Sequence, residues 1–419
     1  MHVDDAERRV LQRRTLVTLS VSQVLGSAGL TSGITVGGLI AKELLDGDTF
    51  AGLSTASLTL GSALGSAHLA RLMTERGRRP GLVTGYAVAV VGAVVAIVAV
   101  QQRSFPLLIV GSVMLGAGQA SNLLTRYAAA DLAPPDQRAR AISCLVFMST
   151  FGAVAGPVMV GLGEAVGRGV GIDELAGPYL FSVVFFLAAA IVTMWRLRPD
   201  PLVIAGGVRR DGTPRTRVDL LGSLRLVRAR AEARLALASM VVSQVVMVAV
   251  MTMTPLHMRD HDHSVQLVGF VLAVHIAGMY ALAPLIGRLN DRIGGYRVIA
   301  VAGTVLGLST IITALAGAAP SLLFLGLFLL GVGWSGGLIA GSSLLTASMP
   351  LEHRTKVQGA ADLSMSLMGG LAGLSSGFVK HSVGYHMLSN GGTLAAGLLL
   401  VAAVVALRQP RPNTVTTPS

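Results

Sequence analysis

The sequence predicts an all-α integral membrane protein with twelve transmembrane helices, arranged as two six-helix bundles related by a pseudo-twofold axis. Three observations support this fold class. Of the 419 residues, 52% are hydrophobic and 13% are charged, which is about half the charged fraction of an ordinary soluble domain. The chain contains twelve apolar segments, each close to the roughly 20 residues that cross a bilayer as a helix. Basic residues gather in alternate loops, as in polytopic membrane proteins.

The apolar segments fall into two groups of six. The first group lies at about 15–41, 50–72, 80–100, 105–128, 140–164 and 177–197, and the second at about 233–257, 265–287, 298–318, 320–345, 357–378 and 385–407. We therefore expect an N-terminal bundle (1–197), a basic cytoplasmic linker (198–232) and a C-terminal bundle (233–419). Within the linker, residues 220–230 form either a short amphipathic helix on the membrane surface or part of an irregular basic connection.

Loop charge predicts the orientation. With a cytoplasmic N-terminus, the basic residues of the outer loops are only Lys42, Arg103, Arg168, Arg259 and Lys380. Since basic loops stay in the cytoplasm, both termini are expected there, with the chain in the cytoplasmic membrane. The net charge of +12 then reflects membrane topology and does not call for a nucleic-acid partner.

Several function classes are excluded by what the sequence lacks. Its one cysteine, Cys144, cannot form an internal disulfide or a multi-thiolate metal site. The chain has no phosphate-binding loop of the Gly-x-x-x-x-Gly-Lys type, which argues against ATP-driven pumping. We find no nucleophile–base arrangement typical of an enzyme. We expect a monomeric membrane protein without a tightly bound cofactor.

Two neighbouring segments carry soft metal ligands at helical spacing. Met247 and Met251 lie four residues apart on the seventh segment, and His275 and Met279 repeat that spacing on the eighth, so each pair shares a helix face. Thioether sulfur prefers Cu(I), and imidazole also binds copper. The alternative is that the methionines only fill an apolar core. A histidine in mid-membrane is costly and usually functional, which favours a metal site.

The connection between these two segments is dense in potential ligands. His257, Met258, His261 and His263 lie on the predicted outer side, where imidazoles could capture a metal ion before entry. The alternative is a solvated polar loop.

Polar residues in other segments are candidates for coupling, gating or relay. Arg126 either extends to the cytoplasm or pairs with Asp131 as a gate, and Asp362 is either a proton-coupling carboxylate or a satisfied polar group. Cys144 and Met148 share a face of the fifth segment, as a lower copper relay or as core packing.

The loop motifs resemble those of the major facilitator superfamily over nearly the whole chain. Residues 287–294, which include Asp291, match the family's cytoplasmic loop motif, whereas the first-half copy has Thr74 where the family usually has Asp. Residues 152–161 (Gly-x-x-x-Gly-Pro-x-x-x-Gly) resemble a motif of its antiporter members. The resemblance implies two six-helix halves moving by alternating access, with Asp291 in a gating contact.

Within that superfamily, the chain is similar to the copper importers of the CcoA-like (CalT) group. Met247 and Met251 match the group's Met-x-x-x-Met motif, and His275 and Met279 match its His-x-x-x-Met motif. The resemblance implies copper import with these four residues as ligands. A proton-coupled exporter of small organic molecules or drugs is the alternative, favoured by the glycine–proline motif, the methionine-rich segments and Arg126. A non-transporting receptor or sensor of the same fold is a third reading.

Overall fold

Helices dominate the computed structural model, which describes residues 4–45, 51–208 and 220–408. The first half comprises α1 (Asp5–Leu45), α2 (Ala51–Arg76), α3 (Arg78–Gln101), α4 (Phe105–Ala130), α5 (Arg138–Gly169) and α6 (Gly177–Arg196). Two short helices follow, α7 (Pro201–Ile204) and α8 (Leu220–Arg228). The second half comprises α9 (Ala231–Asp260), α10 (Val265–Tyr280), α11 (Ala283–Ile293), α12 (Gly295–Leu315), α13 (Pro320–Ser348), α14 (Leu351–Val383) and α15 (Tyr385–Arg408).

The prediction of an all-helical membrane fold in two halves is confirmed. Within the described residues, ten helical stretches are long and apolar enough to cross a membrane, judged by length and composition. The expected helices α2 and α14 lie outside that set because both are rich in small and polar residues. They pack against each other between the halves. Protein rather than lipid covers much of their surface, so they need less hydrophobicity.

One predicted segment is not a single helix. Residues 265–287 were expected to form one helix, whereas the structure has α10 and α11 with a break at Ala281 and Leu282. Pro284 lies in the first turn of α11, where its missing N–H costs nothing, but inside a continuous helix the proline ring would clash with the preceding turn.

The linker between the halves contains helical structure at its end. α8 occupies the region for which an amphipathic helix and an irregular connection were both considered, and it buries Ser223 and Val227. It contacts α9 and α14. Residues 209–219, which hold several of the linker's arginines, lie outside the described part of the chain.

Both described chain ends, the start of α1 and the end of α15, lie at the same face of the bundle, which we call the terminal face. Here the Asp291 carboxylate accepts hydrogen bonds from the backbone N–H groups of Ala139 and Arg140, both at 3.0 Å. These N–H groups begin α5, whose positive dipole end favours a carboxylate. Asp291 therefore ties α11 of the second half to α5 of the first.

The first half uses a different carboxylate at the corresponding place. Among the described residues, the Thr74 hydroxyl donates to the carbonyl of Ala70 in its own helix. Asp200, from the start of the linker, accepts hydrogen bonds from the N–H groups of Arg78 (3.1 Å) and Arg79 (2.7 Å) at the start of α3. The carboxylate missing at position 74 is therefore replaced from a distant part of the sequence.

Candidate functional site

A cavity of about 580 Å³ lies between the two halves. Its walls come from α1, α2, α4 and α5 in the first half and from α9, α10, α13 and α14 in the second. Transporters built from two such repeats bind their substrates at this kind of junction. Arg126 is the one charged residue among the described residues that line it.

Amide side chains give the cavity its hydrogen-bonding character. Gln23, Gln119, Asn122 and Gln244 all line it. Gln23 donates through Nε2 to Ser149 Oγ at 2.9 Å, and Asn122 Oδ1 accepts from the hydroxyl of Tyr86 at 3.1 Å. Both amides are buried, at 5% and 6% exposure. The other ends of these two amides, Gln23 Oε1 and Asn122 Nδ2, have no partner among the described residues.

An aromatic corner lies on the second-half wall. The indole Nε1 of Trp334 donates to Gln244 Oε1 at 2.7 Å. The ring of Tyr280 meets the Trp334 ring edge to face, with centroids 5.9 Å apart and an interplanar angle of 90°. Two aromatic rings with a polar tip suit a flat organic ligand.

The four predicted copper ligands do not all reach this cavity. Met247, Met251 and Met279 line it. His275 is fully buried outside the lining, and its Nδ1 lies 2.8 Å from the carbonyl oxygen of Leu327 on α13. The histidine therefore connects α10 to α13. The three predicted methionine ligands line the second-half side of the cavity. The Nε2 of His275 has no partner among the described residues.

Three of the predicted outer capture residues are histidines whose ring nitrogens contact backbone carbonyl groups. His257 Nε2 lies 2.8 Å from the carbonyl of Gly317, His261 Nδ1 lies 2.8 Å from the carbonyl of His257, and His263 Nε2 lies 3.0 Å from the carbonyl of Ala318. Met258 is fully buried. In the described part of the chain, no group of three or more His, Cys, Asp or Glu side chains is arranged to hold a metal ion. Of the predicted residues, His257 and His261 lie close together, with ring centroids 4.5 Å apart; metal capture by these residues stays a prediction.

Arg126 pairs with Asp362 and not with Asp131. Its Nη2 donates to Asp362 Oδ1, and its Nε donates to Ser342 Oγ at 3.0 Å. Arg126 is 3% exposed and Asp362 is fully buried. This pair joins α4 of the first half to α14 of the second at the end of the cavity nearer the terminal face.

Asp131 belongs to a second buried ion pair, closer to the terminal face. Arg78 donates to both of its carboxylate oxygens, at 2.7 and 3.1 Å, and also to Gln358 Oε1 on α14 at 2.8 Å. Asp131 and Gln358 lie about one helical turn beyond Arg126 and Asp362 on their helices. The halves are therefore held together by two stacked polar layers.

The predicted relay residues stand apart from the cavity. Cys144 is partly buried, with its Sγ 3.8 Å from Ser20 Oγ. Neither Cys144 nor Met148 lines the cavity.

The amides Gln23, Asn122 and Gln244 and the aromatic pair are not predicted as site residues from the sequence. Each is a lone polar or aromatic residue within an apolar segment, without the spacing that marks a motif. The available signal was their depth, because polar groups in mid-membrane are usually functional.

Comparisons with known proteins agree with this architecture. The family model described as "Major Facilitator Superfamily" matches residues 19–274 and 235–419. The uncharacterized MFS-type transporter YdeG of Bacillus subtilis is 40% identical, covering 95% of this chain and 93% of the relative. The riboflavin transporter RfnT of Brucella anthropi is 28% identical, covering 94% of this chain and 96% of the relative.

A solved structure supports the fold independently. A bacterial homologue of the iron transporter ferroportin, in an outward-facing state, superimposes with a TM-score of 0.74. The alignment covers 94% of this chain and all of that one, at 16% identity. Together with the two-half architecture and the cavity between the halves, these comparisons show that the chain belongs to the major facilitator superfamily of secondary transporters.

Proposed function

We propose that this protein transports a flat, uncharged heteroaromatic solute of the riboflavin type across the cytoplasmic membrane. The observation that carries the proposal is the cavity lining, in which amides, hydroxyls and the Trp334–Tyr280 corner surround the space between the halves. The one charged residue of the lining, Arg126, is already neutralised by Asp362. Such a lining favours a neutral ligand with a broad ring face. The similarity to a riboflavin transporter over nearly the whole chain supports the same class.

The transport cycle follows from the two polar layers. Opening the cavity at the terminal face requires the Arg126–Asp362 and Arg78–Gln358 contacts to separate, because both cross from one half to the other. Asp362 Oδ2 has no partner among the described residues, so this carboxyl can accept a proton while Oδ1 faces Arg126. A neutral Asp362 would hold Arg126 less strongly, which couples proton uptake to separation of the halves.

The binding step can be tested with the protein's two tryptophans. Trp334 lines the cavity, whereas Trp195 on α6 is 68% exposed and lies outside it. Riboflavin added to the Trp195→Phe variant in detergent or nanodiscs should quench the remaining Trp334 fluorescence. The matched Trp334→Phe variant should show only the weak quenching of free tryptophan. Equal quenching curves for the two variants would contradict binding at the proposed wall.

The transport step is tested by counterflow in proteoliposomes, which does not depend on transport direction. Vesicles preloaded with unlabelled riboflavin should accumulate labelled riboflavin, and Trp334→Ala should weaken apparent affinity roughly tenfold because an aromatic contact is lost. Trp195→Ala should behave like the wild type. A wild-type protein that gives no counterflow above empty vesicles would refute the proposed substrate class.

Copper import remains the second candidate, because the thioethers of Met247, Met251 and Met279 line the same cavity and would bind Cu(I). Cellular copper accumulation under copper limitation distinguishes the two functions. Copper import predicts that Met251→Leu lowers copper content, with little change in riboflavin counterflow. Copper content that is independent of the protein would rule this candidate out.

A further inference from the structure

We propose that the cavity contains a subsite for the imide edge of a heterocycle, in which an N–H lies between two carbonyl groups. This inference rests on the proposed function and specifies which edge of the solute is recognised. It follows from the way the protein fixes three cavity amides, Gln23, Asn122 and Gln244. Each is held at one end by a hydrogen bond, which determines the chemical character of the other end.

Asn122 presents a donor. Its Oδ1 accepts the hydrogen bond of the Tyr86 hydroxyl, so the unpartnered end is the Nδ2 amide group. The side chain lies directly over Gly26 of α1, where an added Cβ would come within 2.3 Å of Oδ1. The glycine therefore makes room for the amide at this place.

Gln23 presents an acceptor. The hydroxyl proton of Ser149 is directed to the carbonyl of Leu145 at 3.3 Å, so Ser149 Oγ accepts from Gln23 Nε2. The unpartnered end of this amide is Oε1. Gln23 lies three residues before Gly26 on α1 and shares its helix face. The acceptor of Gln23 and the donor of Asn122 therefore belong to side chains that line the same first-half side of the cavity.

Gln244 presents a second donor from the opposite half. An indole N–H can only donate, so Gln244 Oε1 is the end of the amide that faces Trp334. The Nε2 end is turned away from the indole. That amide lies beside Gly369 of α14, where an added Cβ would be 2.8 Å from Gln244 Cγ and 3.2 Å from Nε2. The donor is next to the aromatic corner, where the ring of a ligand would lie.

The cavity thus offers a donor and an acceptor on the first half and a donor on the second. An imide edge presents the complementary series of carbonyl, N–H and carbonyl. The isoalloxazine ring of a flavin carries this edge, as does a pyrimidine dione. A buried acceptor without a partner destabilises the bound state, so Gln23 Oε1 gives the site a strong preference for a ligand that has the N–H.

The experiment compares riboflavin with 3-methylriboflavin, which keeps both carbonyls and the ring but lacks the imide N–H. Quenching of Trp334 in the Trp195→Phe background measures affinity for both flavins. We expect 3-methylriboflavin to bind at least tenfold more weakly. Gln23→Met removes the acceptor and should bring the two affinities within about threefold of each other, mainly by weakening riboflavin. The matched control Gln266→Met, at an exposed position on α10, should keep the full discrimination.

The outcomes separate this inference from the proposed function. Tight binding of riboflavin and 3-methylriboflavin alike would overturn the imide subsite and leave flavin transport standing. Discrimination that persists unchanged in a folded Gln23→Met protein would overturn the role of Gln23. Absence of quenching by either flavin, in protein with an unchanged elution profile and melting temperature, would refute the proposed function and the subsite together.

Discussion

Neutralising Asp362 should release the terminal face. In Asp362→Asn, the Arg126 guanidinium keeps its charge but loses its carboxylate partner in a site where it is 3% exposed. Removing one partner of a buried ion pair costs about 3–5 kcal/mol. That cost falls on the state in which the halves are closed at this face, because separation would let water reach Arg126. Since about 1.4 kcal/mol corresponds to a factor of ten in an equilibrium constant, the closed-to-open equilibrium constant should fall by a factor of 100 or more.

The assay is a distance measurement across the terminal face. Spin labels on exposed positions near the end of α2 and near the end of α11 would report the separation of the halves by double electron–electron resonance. We expect Asp362→Asn to move the distance distribution to longer values without substrate. The double variant Arg126→Gln/Asp362→Asn should return most of the way toward the wild type, because no unpaired charge remains.

A surface ion pair provides the matched control. Glu43 and Arg103 are 48% and 72% exposed and both belong to the first half, so Glu43→Gln should leave the distance unchanged. A folded Asp362→Asn protein with the wild-type distance distribution would refute the view that this pair holds the halves together. If Asp362 also carries the coupling proton, the same variant should retain counterflow and lose accumulation driven by a proton gradient.

Two further predictions concern the helix starts at the terminal face. Asp291→Asn removes the charge that caps α5 and should lengthen the same spin-label distance by a smaller population shift than Asp362→Asn, since capping contributes about 0.5–2 kcal/mol. An unchanged distribution would contradict its role as a tie between the halves. Asp200→Ala leaves the first N–H groups of α3 and of α7 without their carboxylate and should lower the melting temperature by several degrees, whereas Glu174→Gln, at an exposed pair within the first half, should not. Equal melting temperatures for these two variants would show that the Asp200 carboxylate, which caps both helices, contributes nothing to the stability of the protein.

Apolar length and loop charge carry most of the fold information in this sequence. Runs of about 20 apolar residues are sufficient to locate the helices, although α1 and α14 extend beyond their apolar segments and Pro284 begins a separate helix inside another. Helices α2 and α14 are recognisable in the sequence although they are more polar, because loop charge requires a crossing at each of these places.

Less of the candidate site could be predicted from the sequence, and the reason is physical. Spacing within one helix tells which residues share a face, and Met247 and Met251 do line the cavity as that argument requires. It does not tell which residues on different helices meet. Asp362 is 236 positions from Arg126, whereas Asp131 is only five away, so sequence proximity favoured the wrong partner. The packing of α4 against α14 decides this pairing.

The hydroxyl of Ser149 has a consequence for how selectivity could change. Ser149 lines the cavity, but its effect on a ligand would act through Gln23, whose amide it prevents from turning over. In Ser149→Ala, only the longer 3.5 Å contact from Gln23 Nε2 to Ser27 Oγ would remain, so that amide would present either its N–H₂ or its oxygen to the ligand more readily. A transporter altered in this way would accept solutes of opposite hydrogen-bonding polarity. A broader substrate range in such a cavity can therefore evolve by removing a hydrogen bond that fixes the orientation of one side-chain amide, without any change in the cavity's volume or in the amides themselves.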